Sequence, residues 1–233
     1  MNMNDYLNGI QVAGLDETNA ENMDVDEITS PVVTLIDFII DKSGSMDSYE
    51  SAMQECLEHY KKAIIHSKQA DEMLVSKTLF GSDIETGGYV APDDFDPSYS
   101  TYGNTKLFDA IIDRYQRMLA YMDQLKNSGT NARACMVILT DGFDNDSRTG
   151  ASDARKAIKD LISREITVAF IAFGQSAFGV ADSIGVKNQN VKEVSNNESE
   201  LRHIIDLVSK SAISASKKAS TGAANADDSF FDV

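Results

Sequence analysis

Five side chains that carry hydroxyl or carboxylate oxygens stand where apolar segments end or begin: Asp41, Ser43, Ser45, Thr105 and Asp141. Three of them fall in the stretch DKSGS, directly after the apolar run VVTLIDFII. In a tight turn after a strand, the alternation Asp-x-Ser-x-Ser places alternate side chains on one side. Gly44, inside this turn, tolerates backbone conformations that are closed to larger residues. The stretch therefore predicts a cluster of oxygen donors.

Such oxygens suit a small divalent cation. Mg²⁺ prefers hard oxygen ligands in near-octahedral geometry at roughly 2.0–2.1 Å, and it usually keeps some of its water. The five side chains above could supply that ligand set. We expect Mg²⁺ as the cofactor, with Mn²⁺ or Ca²⁺ as alternatives.

Strand-like and helix-like segments alternate along the chain. The predicted strands are 32–40, 72–80, 84–91, 135–142, 166–174 and 191–194. The predicted helices are about 49–67, 106–126, 152–164, 177–184 and a last one, capped at Ser195, that continues through Val208. This alternation predicts an α/β fold, a doubly wound and mostly parallel sheet with helices on both faces. The two segments around Gly81 favour one antiparallel strand at a sheet edge. Ligands of such sheets bind at the carboxyl ends of the strands, where the candidate residues lie.

Composition limits the class of protein. The chain has 233 residues, is 42% hydrophobic and carries a formal net charge of −16, which fits one medium-sized domain. Its acidity excludes a nucleic-acid or anionic-membrane surface as the expected partner, because phosphates require clustered Lys and Arg. Cys56 and Cys135 fall in a predicted helix and strand, so we expect both to be reduced packing residues. The absence of a long apolar stretch leads us to expect a cytoplasmic protein.

The sequence divides into three regions. Residues 1–30 contain acidic but no basic side chains and predict a flexible arm; residues 31–213 form the domain; residues 214–233 predict a flexible acidic tail. The last stretch, DDSFFDV, sets two aromatics among carboxylates. A disordered acidic segment is the commoner explanation of that pattern, and a short docking motif is the alternative. A further hypothesis is that the arm or the tail supplies a carboxylate to the metal site of another copy.

Three motifs resemble those of a known family. DKSGS resembles the Asp-x-Ser-x-Ser signature of von Willebrand factor type A domains, GNTKLFDAI is similar to their threonine loop and the helix after it, and LTDGFDN is similar to their second aspartate loop. The resemblance extends over residues 31–213. It implies a Rossmann-like fold and a complete metal-ion-dependent adhesion site. In that site Ser43, Ser45 and Thr105 would be hydroxyl ligands, and Asp41 and Asp141 would bind the ion directly or through water.

The resemblance implies a protein-binding module rather than an enzyme. An Asp or Glu of a partner would complete the coordination of the ion, and the neighbouring loops would set specificity. We expect five partner contacts in these loops, mainly because aromatic residues are enriched at interfaces: Met46, Tyr49, Tyr102, Phe143 and Asn145. Similar stand-alone bacterial domains are associated with kinases, phosphatases or AAA-type ATPases in stress response and tellurium resistance, which offers candidate partners by analogy only. The oligomeric state is left open.

A metal-dependent phosphoester hydrolase is the alternative function. A bound Mg²⁺ beside Thr140 and Ser43 leaves that chemistry formally open. Other reactive sites fail specific tests. A phosphate-transferring Asp-x-Asp motif is excluded because Ser43 occupies its second position. An EF-hand loop in DNDSRTGASDAR is excluded because Thr149 replaces the required glycine and Arg155 the required glutamate.

Overall fold

Six strands form one sheet. The computed structural model describes residues 21–69, 72–195, 197–221 and 229–232. Its strands are β1 (Val32–Asp41), β2 (Met73–Phe80), β3 (Ile84–Thr86), β4 (Asn131–Thr140), β5 (Thr167–Phe173) and β6 (Val191–Val194), in the order β3-β2-β1-β4-β5-β6. Every neighbouring pair is parallel except β2 and β3, which are antiparallel. The predicted fold class, with a single antiparallel edge strand in this sheet, is confirmed.

Helices cover both faces of the sheet. They are α1 (Glu50–Ile65), α2 (Leu107–Asn127), α3 (Ala151–Ser163), α4 (Gln175–Ile184) and α5 (Glu198–Thr221). Leu35 and Ile39 of β1 pack in the cluster that includes α2, α3 and α4, whereas Ile36 and Phe38 pack in the cluster of α1 and α5. Because β1 is buried on both sides, its sequence is almost continuously apolar.

The antiparallel edge is shorter than the sequence predicts. Regular pairing with β2 ends at Thr86, and an isolated bridge between Val75 and Val90 follows. The intervening glycines lie too close to other backbone for a side chain. A Cβ at Gly87 would meet the Lys77 carbonyl oxygen at 2.9 Å, and one at Gly88 would meet the Glu21 carbonyl oxygen at 2.1 Å. The predicted strand 84–91 is therefore only partly formed, because its glycines serve close backbone contacts.

Asp37, in the middle of β1, is fully buried and takes part in a polar cluster. Its carboxylate lies 2.5 Å from Arg114 Nη2 and accepts a hydrogen bond of 2.5 Å from the Tyr89 hydroxyl. Arg114 is also buried and donates to the Gly87 carbonyl at 3.0 Å. Burial raises the pKa of Asp37, and the charge of Arg114 opposes that rise. The polar interruption of the apolar strand thus belongs to a buried ion pair with α2.

The described part of the predicted arm packs on the domain. Met23 donates its N–H to the Tyr89 carbonyl at 2.7 Å, and Asn22 Oδ1 accepts the Tyr89 N–H at 3.0 Å. The Tyr121 hydroxyl donates to the Met23 carbonyl at 2.9 Å. These contacts hold residues 22 and 23 beside the edge hairpin and α2. Residues 1–20 of the arm lie outside the described residues.

The predicted tail also contains ordered contacts. Helix α5 continues to Thr221, beyond the boundary placed at Ile213, and Ser216 is buried on it. Farther along, Phe230 and Phe231 are buried in the cluster that contains α1 and α5. Residues 222–228 and 233 lie outside the described residues. A flexible tail was predicted because its residues are mostly small and polar. In the structure, residues 214–221 continue α5 and residues 229–232 pack on the domain.

The order of the strands defines a switch point. Starting from β1, the chain builds β2 and β3 on one side and then β4, β5 and β6 on the other. The connections that leave β1 and β4 therefore run to opposite faces of the sheet. Such a switch point leaves a crevice between the loops at the carboxyl ends of the two strands. The candidate metal ligands are found at this crevice.

Candidate metal centre

Three loops meet at the carboxyl ends of β1 and β4. They are residues 41–45 after β1, residues 101–106 before α2 and residues 140–147 after β4. The Gly44 N–H donates to the Gly103 carbonyl at 3.1 Å, which joins the first loop to the second. The Asn145 N–H donates to the Thr105 carbonyl at 3.1 Å, which joins the third loop to the second. The three predicted motifs are thus held together by backbone hydrogen bonds.

Asp41, the last residue of β1, is buried and fixed at both carboxylate oxygens. Oδ1 accepts the Ser43 N–H at 2.8 Å, and Oδ2 accepts the Thr140 hydroxyl at 2.6 Å. The Tyr99 hydroxyl donates to the Asp41 carbonyl at 2.6 Å. Thr140 was predicted to lie beside the bound ion, but neither it nor Tyr99 was predicted as a metal ligand. The position of Thr140 immediately before Asp141 at a strand end was the one available signal for it.

A chain of oxygens runs from the first loop to the third. The Ser43 and Ser45 hydroxyl oxygens are 3.1 Å apart, and the Ser45 hydroxyl donates to Asp141 Oδ1 at 2.9 Å. Ser43 is buried, whereas Ser45 is exposed. Four of the five predicted ligands are therefore linked by short polar contacts: Ser43, Ser45 and Asp141 through their side chains, and Asp41 through the Ser43 N–H. Ser45 and Asp141 are 96 positions apart in sequence.

The fifth predicted ligand, Thr105, is buried and held through its backbone. Its N–H donates to Asn145 Oδ1 at 2.9 Å, and its carbonyl accepts the N–H groups of Asn145 and Asp146 at 3.1 and 3.2 Å. Asn145, predicted to contact a partner, thus uses both its backbone and its side chain to clamp Thr105. We assign it a positioning role.

Two further carboxylates attach the third loop to α2. Asp144 accepts the Phe108 N–H at 3.0 Å and the Ser147 N–H at 3.0 Å. Asp109 accepts the Thr149 N–H at 2.9 Å. Both carboxylates accept hydrogen bonds at a helix start and a turn, and Asp109 is buried. Their hydrogen bonds fix the third loop against the beginning of α2.

The electrostatics of the site favour a cation. Burial raises the pKa of Asp41 to about 6; hydrogen bonds from Thr140 and Ser43 oppose this rise, and the charge of Asp141 adds to it. Burial also raises the pKa of Asp141, although the Ser45 hydrogen bond opposes the shift. A bound cation would offset the cost of holding two partly desolvated carboxylates near each other.

The donor set matches a hydroxyl-rich site for a hard cation. Among the described residues, no group of three or more His, Cys, Asp and Glu side chains could hold a metal ion. The site itself offers two carboxylates and would draw its remaining protein ligands from hydroxyls, which Mg²⁺ accepts. Lys42, although part of DKSGS, pairs instead with Asp83 at 2.8 Å and with Glu85 on the edge hairpin. The residues present therefore fit a divalent ion.

The other four predicted partner contacts divide into two groups. Tyr102 and Phe143 are exposed by 68% and 63% on the second and third loops, as a contact role requires. Met46 and Tyr49 are buried, so their prediction as partner contacts is wrong for this structure. The 3₁₀ helix Gly44–Tyr49 turns both inward, and the Tyr49 ring packs at 4.7 Å from that of Phe173.

The clamp on Thr105 yields a first prediction. Replacing Asn145 by alanine removes the oxygen that accepts the Thr105 N–H, and outer residues that orient metal ligands typically contribute 10–100-fold to affinity. We expect Mg²⁺ affinity, measured by calorimetry, to fall by about tenfold or more. Asn145→Asp keeps an acceptor at this position and should retain affinity. Equal loss in both variants would contradict the positioning role.

The fold and the site together define a Rossmann-like α/β domain with a candidate cation centre at its switch point. A family model described as the von Willebrand factor type A domain matches residues 93–208. This segment, just under half of the chain, is therefore similar to von Willebrand factor type A domains. The matched segment begins after β3, so DKSGS lies outside it; β1 and its loop complete the sheet in the structure. A comparison with curated protein sequences gives no match.

Solved structures share the fold at low identity. The pilus adhesin SpaC from Lactobacillus rhamnosus GG, in its open conformation, aligns with a TM-score of 0.64 and 11% identity over 79% of this chain and 30% of its own. Proximal thread matrix protein 1 from the mussel byssus, with a zinc-occupied MIDAS motif, gives 0.57 and 15% over 78% and 46%. Manganese-loaded TRAP from Plasmodium vivax gives 0.51 and 19% over 73% and 71%. The chain thus spans less than half of the first two proteins.

Proposed function

We propose that this protein is a Mg²⁺-dependent protein-binding module. The observation that carries the proposal is the convergence of three loops, which places the Ser43 and Ser45 hydroxyls in a continuous polar chain with Asp141, next to the fixed carboxylate of Asp41. The proposed ligands are the five predicted residues: Asp41, Ser43, Ser45, Thr105 and Asp141. Zinc and manganese appear in the names of two similar structures, so Mn²⁺ remains an alternative ion, as does Ca²⁺.

The composition of the site supports capture of an acidic side chain. When bound, the ion would supply a Lewis-acidic position, and hydroxyl ligands would leave more of its charge uncompensated than carboxylates would. Ser45 and Asp141 lie at the surface end of the oxygen chain, where a carboxylate from a partner can approach. Tyr102 and Phe143 are exposed on the adjoining loops and are the proposed aromatic contacts.

The finer parts of the proposal rest on the resemblance alone. They are an adaptor role, a kinase, phosphatase or AAA-type ATPase as the partner, and a place in tellurium resistance or stress response. A cytoplasmic location is proposed on other grounds, from the composition of the sequence. Cys56 and Cys135 are both free and buried, which agrees with the reduced state expected in the cytoplasm. In the described part of the chain, no helix combines the length and apolar character needed to cross a membrane.

An affinity capture experiment tests this function. The wild-type protein and the Asp41→Ala/Ser43→Ala variant are exposed to native cell extract in Mg²⁺ or in EDTA, and the retained proteins are identified. We expect a partner that is retained only by the wild type in Mg²⁺, and whose retention is lost when its own contacting Asp or Glu becomes Asn or Gln. Identical partners under all conditions would contradict metal-bridged binding. Turnover of a generic phosphoester that requires Asp141 would instead favour the hydrolase.

A further inference from the structure

Residues 229–232 lie against the outer edge of the sheet, beside β6. The segment has little internal support: the Asp232 N–H donates to the Ser229 carbonyl at 3.3 Å, and the Phe231 N–H donates to the Ser229 hydroxyl at 3.4 Å. It belongs to no helix or strand. Its placement must therefore depend on the surface that receives it.

That surface offers specific polar contacts. The Phe230 N–H donates to Asn190 Oδ1 at 2.9 Å, and the Ser229 hydroxyl donates to the Gln189 carbonyl at 3.0 Å. Asn190 is itself buried, at 6% exposure, in the 3₁₀ turn Asn188–Asn190 that precedes β6. A buried amide that accepts a backbone N–H from a distant segment is a directional recognition element.

Apolar contacts complete the site. Phe230 and Phe231 are exposed by only 7% and 5%, and their rings meet edge to face with centroids 5.1 Å apart. Both belong to the cluster that includes Val194 of β6. The Lys192 ammonium lies 5.4 Å from the centre of the Phe231 ring, a cation–π distance. The surface thus selects two adjacent aromatic rings as well as a backbone N–H.

We propose that this surface, which we call the β6 groove, is a docking site for a Ser-Phe-Phe-Asp motif, and that the chain's own residues 229–232 occupy it as an intramolecular ligand. The β6 groove is defined by residues 188–190 and Lys192. Its turn lies at the amino end of β6, whereas the proposed metal centre lies at the carboxyl ends of parallel strands. The two sites can therefore be occupied independently.

Linkage within one chain explains why such a short motif stays bound. Residues 222–228 read GAANADD and join α5 to the motif. A ligand on a short connection acts at an effective concentration on the order of millimolar, so even a weak motif remains docked. A free copy of the same motif must compete with it. The proposal therefore requires that the groove accept the motif from another molecule once its own copy is removed.

A binding experiment with the full chain tests this requirement. The probe is a fluorescently labelled peptide DDSFFDV, and the protein carries Phe230→Ala and Phe231→Ala. We expect saturable binding by fluorescence anisotropy, and binding to the wild type weaker by about tenfold or more because the native segment competes. The same peptide with both phenylalanines replaced by alanine should not bind. Adding Asn190→Ala to the variant should weaken binding.

Two results would overturn the proposal. The first is a folded double variant that does not bind the peptide at concentrations up to about 1 mM, the range of the effective concentration. The second is equal binding to variant and wild type, which would place the peptide elsewhere. If the double variant does not fold, the single variant Asn190→Ala is used instead. Amide exchange of residues 229–232 should then accelerate, and unchanged exchange would overturn the proposal.

Discussion

Replacing Asp141 by asparagine is expected to lower the affinity for Mg²⁺ by at least about 10–100-fold while leaving the fold intact. The range applies even if the carboxylate acts through a water molecule, because an amide removes the negative charge and one acceptor oxygen. The unliganded fold should tolerate the change. Burial raises the pKa of Asp141, so the charged carboxylate is a cost there, and the asparagine oxygen can still accept the Ser45 hydroxyl.

Calorimetry with Mg²⁺ measures the affinity for the ion, and thermal unfolding in EDTA measures the stability of the unliganded fold. Asp47→Asn is the matched control because this substitution removes the same charge. Asp47 is exposed and lies in the 3₁₀ helix Gly44–Tyr49. The control should bind Mg²⁺ within a factor of about two, because an exposed charge is screened by solvent. Wild-type affinity in the Asp141 variant would contradict its role as a ligand. Equal loss in the control would show that net acidity, not the site, attracts the ion.

The position of the site follows from the sequence because strand ends are visible in it. The apolar runs before Asp41 and before Asp141 predict two buried strands, and parallel strands direct their carboxyl ends to one edge. Two polar motifs that each follow such a run must therefore meet if the strands are neighbours. The structure pairs β1 with β4 directly, and the Ser45 hydroxyl of the first motif donates to Asp141 of the other.

The directions in which individual side chains point could not be predicted from such apolar runs. Met46 and Tyr49 turn inward because the chain after Gly44 forms a 3₁₀ helix, in which one residue more or less rotates a side chain by about a third of a turn. Asn145 reaches Thr105 across 40 positions of sequence. The burial of Phe230 depends on Asn190, which is equally distant along the chain. Each of these outcomes depends on tertiary contacts that local patterns do not encode.

Replacing Arg114 by methionine is expected to destabilise the protein by about 3–5 kcal/mol, because it leaves the carboxylate of Asp37 buried without its counter-charge. Both side chains have an exposure of 1% or less, and the Tyr89 hydroxyl would remain the principal partner of the carboxylate. Urea unfolding in Mg²⁺-free buffer measures the free energy of unfolding. Arg202→Met is the control: its pair with Glu55, at 2.7 Å, is more than half exposed and should contribute at most about 1 kcal/mol.

A further variant separates the effect of the unpaired Asp37 charge from the effect of losing the packing of the Arg114 side chain. If the unpaired charge is responsible, removing it as well should restore stability, so Asp37→Leu/Tyr89→Phe/Arg114→Met should recover most of the 3–5 kcal/mol. Tyr89→Phe belongs in this variant because its hydroxyl would otherwise lose its acceptor inside the core. A triple variant that stays as unstable as Arg114→Met would show that shape, not charge, is the contribution of Arg114. A single variant within about 1 kcal/mol of the wild type would contradict the ion pair itself.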